Sequence, residues 1–161
     1  MFQKIGAFFM SIIMAVLAFF GIGGKPPVQK GKWTVDRAAI IALAEEEGLE
    51  IVVQDCNLVP QPGGTPSTRE FTGIRIRDLL TYYNVKVDKL GDDAYLVVAS
   101  SDADNFSTDY DAALIKSQTT LIAWKEDKKD GSGPQDVLRT CVKGGPAYQF
   151  VKNVETLTLF D

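Results

Sequence analysis

The sequence predicts one α+β domain, a mixed β-sheet carrying a few helices. Three observations lead there. Several stretches alternate apolar with polar residues or are rich in β-branched ones, only two stretches carry a clear helical period, and no segment repeats. At 161 residues the chain has room for one such domain and a leader.

Taken in order, residues 1–24 carry a single charge, Lys4, ahead of an uncharged run over residues 5–24. A short basic start before an apolar core is the pattern of a signal peptide, and the run is also long enough for a retained membrane anchor. Either reading exports the remainder, secreted or anchored outside the cytoplasmic membrane. Residues 25–33, with Pro26, Pro27 and three lysines, predict a stiffened soluble linker. The domain is then expected over residues 34–161.

Thr34 is positioned to cap a helix over residues 38–47, with Asp36 in its first turn and Gly48 at its C-terminal stop. The run Glu45, Glu46, Glu47 reads as a solvated helix end. Residues 49–56 alternate and are β-branched, which predicts a strand delivering Cys56 to its carboxyl end. Residues 57–69, rich in proline and glycine, predict a long loop of the kind that covers ligands.

A turn at Gly73 should lead into the central helix. There Ile76, Leu79, Leu80 and Tyr83 recur at helical spacing, and Arg75, Arg77 and Asp78 fall between them. Residues 85–88 predict a short exposed strand and residues 95–100 an interior one. Residues 101–111 read as an acidic loop. Asp102, Asp104 and Asp109 invite calcium, but Ser107 and Ala113 stand where a calcium loop needs Gly and Glu. A helical turn over 111–118, strands over 119–124, 137–142 and 154–160, and a break at Gly144, Gly145 and Pro146 complete the chain.

Composition removes several functions. The net charge of −4, with no basic block, argues against a nucleic-acid partner. Histidine is absent, which excludes Ser-His-Asp and Cys-His catalysis within this chain and His-based metal sites. Trp33 and Trp124 read as packing residues.

The helix and strand around residues 34–56 are followed by Phe71-x-Gly73-Ile74-x-Ile76-x-Asp78-Leu79-Leu80 and then by Ser100, Ser101 and Asp102. Residues 121–124, Gly133-Pro134 and Val151-Lys152-x-Val154 follow in that order. From about Thr34 to Phe160 this succession resembles the molybdopterin-binding domain of the sulfite oxidase family. The resemblance implies that family's barrel-like α+β fold and an exported, molybdopterin-dependent oxidoreductase-like domain. It also implies a molybdenum–pterin cofactor. Cys56 at the strand end would ligate molybdenum through its thiolate, and Lys152, with Gln149 on the same approach, would bind the pterin phosphate. Gly144 and Gly145 would offer backbone N–H groups to that phosphate. The chain departs from the family at Asp102-Ala103-Asp104, in lacking histidine, and in showing no evident basic cluster for an oxyanion substrate.

A second reading stands beside it. Two cysteines in an exported chain favour a Cys56–Cys141 disulfide, which excludes a ligating thiolate. The chain is then a non-catalytic extracytoplasmic binding module on the same fold, with no convergent basic residues at its site. A small-molecule or cofactor ligand is expected in either case. Membrane contact is expected only through the N-terminal segment.

Overall fold

The continuous apolar run near the middle of the chain and the alternating stretch at its end become adjacent strands. In the computed structural model, which describes residues 27–58, 65–102 and 106–161, Tyr95–Ser100 and Val154–Phe160 pair antiparallel. Leu96 and Val98 on the first, and Leu157 and Leu159 on the second, are fully buried. At the rim of this pair the rings of Tyr95 and Phe160 stack at 4.8 Å. The leader expected over residues 1–24, the start of the linker, the middle of the 57–69 stretch and Asp104 lie outside the described residues.

Numbered in chain order, the strands are β1 (Gln29–Thr34), β2 (Val52–Leu58), β3 (Ser67–Arg75), β4 (Tyr95–Ser100), β5 (Ser107–Asp111), β6 (Thr120–Asp127), β7 (Gln135–Val142) and β8 (Val154–Phe160). The helices are α1 (Arg37–Glu46), α2 (Ile76–Tyr82) and α3 (Ala112–Lys116). The strands form two four-stranded antiparallel sheets, ordered β1-β8-β4-β5 and β2-β3-β6-β7. The architecture is α+β, with few helices.

Several local expectations are corrected. Residues 29–33, expected as linker, belong to β1, whose backbone bonds to β8 need no apolar pattern. Asp36, not Thr34, caps α1: its carboxylate accepts from the Ala39 N–H at 2.9 Å. Gly48 does end that helix in the left-handed region, at φ 65°. At the ends of the 57–69 stretch, Asn57 and Leu58 belong to β2 and residues 67–69 to β3, with Asn57 and Leu58 paired to Thr68 and Ser67. Residues 85–88 are not a strand; Val87–Lys89 is a 3-10 turn that buries Val87. The acidic stretch 107–111 is strand β5, and its Asp111 caps α3 by accepting from the Leu114 N–H.

The central motif divides differently from the expected turn and helix. Gly73 lies inside β3, at an irregularity in its pairing with β6. A Cβ there would stand 2.1 Å from the Ile122 carbonyl oxygen and 2.6 Å from the Ala123 Cα. Both are backbone atoms, so the strand would have to move. Gly73→Ala should lower stability by about 2–3 kcal/mol, read as a fall in the urea midpoint at constant slope. An unchanged midpoint would show that this close approach is not required.

Ile76, Leu79 and Leu80 of α2 are fully buried. They join Ile40, Leu96, Tyr110, Leu157 and others in the main core, which fills the space between the first sheet, the helices and one face of the second sheet. The other face of the second sheet holds a smaller core of Cys56, Leu58, Phe71, Leu121, Ala123, Cys141 and Phe150. Strand β6 is therefore buried on both faces, which explains its unbroken run from Leu121 to Trp124.

The second sheet is rolled. In a flat sheet β2 and β7 would lie three strand spacings apart, about 14 Å. Their cysteines, Cys56 and Cys141, have Cα atoms 6.9 Å apart and form a disulfide. Among the described residues no backbone ladder joins β2 to β7. The seam is held instead by the disulfide. The Gln54 amide donates to the Thr119 carbonyl, just ahead of β6, at 3.0 Å, and its contact with β7 is to the Cys141 sulfur at 3.7 Å.

Candidate functional site

One end of the rolled sheet opens into a cleft of about 270 Å³. Four cationic side chains line it, Arg69, Lys128, Arg139 and Lys152, against one carboxylate, Glu126. In a chain whose net charge is −4, that local excess of positive charge stands out.

Each group is placed by backbone pairing. Arg69 is the cross-strand partner of Cys56 on β2, so both project from the same face. Glu126 is likewise opposite Phe71. Arg139 and Cys141 alternate along β7 onto that face. Beyond the second 3-10 turn (Ala147–Gln149), the chain runs along the outer edge of β7. There the Thr140 N–H donates to the Val151 carbonyl at 3.0 Å and Lys152 bridges to Arg139. This return brings Lys152 to the cleft.

The floor is a buried ion cluster. The Glu126 side chain is 5% exposed and that of Arg139 is 7% exposed. Arg139 Nη1 donates to both Glu126 oxygens at 3.2 Å, and Arg69 Nη1 donates to Glu126 Oε1. Burial opposes ionisation of Glu126, but the hydrogen bonds and charges of Arg69 and Arg139 outweigh it and hold the carboxyl below its ordinary value. Burial lowers the pKa of Arg139, against the pull of Glu126. The Arg139 guanidinium lies 5.9 Å over the Phe150 ring, and its Nε is buried with no hydrogen-bond partner among the described residues.

The three residues singled out from the sequence fall differently. Lys152 lines the cleft beside Arg69 and Arg139. Gln149 does not line it. Its backbone carbonyl accepts from the Tyr110 hydroxyl and from Thr140 Oγ1, and its side chain lies against Gly145. The Gly145 N–H donates to the Val142 carbonyl, closing the turn. Cys56 is fully buried in the smaller core, bonded to Cys141. In this form it presents no thiolate, so the residues as arranged do not fit a cysteine-ligated molybdenum.

The absence of a basic cluster, expected for a binding module, is corrected: the arginines converge. Strand alternation around residues 69 and 139 was the only signal that could have found them, and it required knowing that β3 and β7 flank β6 on either side. Asp102 accepts from the Asn153 amide, and Asp109 lies in β5. No cluster of three or more His, Cys, Asp or Glu suited to a metal occurs among the described residues.

Fold and site together define a disulfide-braced α+β domain with a cationic cleft at the end of a rolled sheet. Compared with protein-family models and with curated proteins, the chain matches none.

Proposed function

We propose that this is an extracytoplasmic, non-catalytic binding module on a sulfite oxidase-like fold, and that it takes a small anionic ligand in the cleft between Arg69, Arg139 and Lys152. The observation that carries the reading is the convergence of Arg69, Lys128, Arg139 and Lys152 on one cleft whose lining holds a single carboxylate, Glu126. A carboxylate, sulfonate or phosphate suits it, because guanidinium and ammonium groups bind anions through charge-assisted hydrogen bonds. The Cys56–Cys141 bond supports an exported, oxidised protein. It also removes the Cys56 thiolate as a metal ligand.

Calorimetric titration of the exported protein with inorganic phosphate and with sulfate tests the reading. Binding should weaken about tenfold in Lys152→Ala, which lies outside the buried cluster, and should fall steeply with salt. Peptide mapping should recover Cys56 linked to Cys141. No binding of either anion, or binding indifferent to Lys152, defeats the proposal. The molybdenum–pterin reading makes the opposite forecast: about one molybdenum per chain, lost in Cys56→Ser, with Cys56 reduced.

A further inference from the structure

A second charged surface lies on the opposite sheet, around β1. A cleft of about 260 Å³ is lined there by Lys30, Lys86 and Lys89 together with Trp33 and Tyr83. The rings of Trp33 and Tyr83 stack at 5.1 Å, and Tyr82, 42% exposed, packs against Tyr83 at 5.6 Å. Val28, 62% exposed, borders the same corner through its paired backbone bonds with Asp161. Among the described residues none of the three lysines has a carboxylate within salt-bridge distance.

Of the nearby acids, Asp88 pairs with Arg77 at 3.1 Å, and Asp161, the one carboxylate lining this cleft, accepts from the Gly91 N–H at 2.8 Å. Three lysines against one carboxylate, beside tyrosine and tryptophan, make the composition of a membrane-interface contact. The amphipathic rings sit at headgroup depth and the ammonium groups meet lipid phosphates.

The chain outside the described residues says which surface this is. The uncharged run over residues 5–24 ends four residues before β1. Four residues fully extended reach at most about 14 Å. Wherever the run meets a bilayer, the start of β1 at Gln29 lies within that reach of it.

We infer that the face formed by Val28, Lys30, Trp33, Tyr82, Lys86 and Lys89 docks the folded domain onto an anionic lipid surface. The contact is separate from the Arg69–Lys152 cleft.

The test is amine footprinting of the exported chain with vesicles, read by mass spectrometry. One vesicle set is phosphatidylglycerol-rich and one is phosphatidylcholine alone. Lys30, Lys86 and Lys89 should be protected several-fold on the anionic vesicles and not on the neutral ones, with protection lost at high salt. Lys125 and Lys143, exposed elsewhere, should label equally on both. Each lysine near a charged surface favours binding about fivefold, so the triple change Lys30→Gln, Lys86→Gln, Lys89→Gln should cost well over tenfold in affinity for anionic vesicles. Uniform protection of all five lysines would show tethering by the leader alone and overturn the proposal. So would equal labelling on both lipids. If export removes the leader, failure of the mature chain to bind the anionic vesicles overturns it as well.

Discussion

A chain with alanine at both Cys56 and Cys141 will unfold about 4 kcal/mol more easily than the native protein, with its melting temperature lower by on the order of 10–15 °C. The bond joins residues 85 apart in sequence, so its loss frees a large loop in the unfolded chain. The native state also loses a strut, because among the described residues β2 and β7 share no ladder and the Gln54 amide reaches β7 only at the Cys141 sulfur, which the variant lacks. Opening the seam exposes the smaller core around Phe71, Leu121 and Phe150. The main core does not include either cysteine, so far-ultraviolet circular dichroism should stay near native at low temperature. Reduced native protein should melt close to the double variant. An unchanged melting temperature would mean that burial of Phe150 and Phe71 closes the roll without the bond.

Glu126→Gln should cost about 3–5 kcal/mol at neutral pH, measured by urea unfolding. The native carboxylate neutralises two arginines, of which Arg139 is almost wholly buried. The amide removes the charge but keeps the shape, so Arg139 is left in low dielectric without a counter-ion. The pH dependence follows from the sign of the shift. The folded-state pKa of Glu126 lies below its ordinary 4.5, so the cluster's stabilisation is complete above that value and is lost as pH falls through the lower folded value. The gap in stability between the native protein and Glu126→Gln should therefore be constant at neutral pH and narrow in acid. A gap that does not narrow would locate the effect in packing instead of charge.

Much of the local structure was legible from the chain. The limits of β4 and β8 follow from their own apolar pattern, and α2 from the spacing of Ile76, Leu79 and Leu80. Elements that rest on backbone bonding to a neighbour were not legible. β1 is Gln-Lys-Gly-Lys-Trp-Thr and β5 is Ser-Thr-Asp-Tyr-Asp, compositions that read as linker and loop. Both are edge strands, where one outer side faces water and side-chain pattern is weakly constrained. The site was still less legible. Lys152 was singled out from the sequence, but its partners Arg69 and Arg139 sit mid-strand among residues that read as ordinary surface.

From residue order and chemistry alone come the α+β class, the absence of histidine chemistry, the apolar leader pattern and the possibility that two cysteines meet. Those depend on neighbours a few positions away, where covalent geometry keeps the correlation strong. Whether Cys56 bonds to Cys141 depended on a four-stranded sheet curling until its edges touched, and whether four cations share one hollow depended on β3 and β7 flanking β6 and on the return that pairs Lys152 with Arg139. That curvature is a sum of small twists over β2, β3, β6 and β7, and no single stretch of the chain records it.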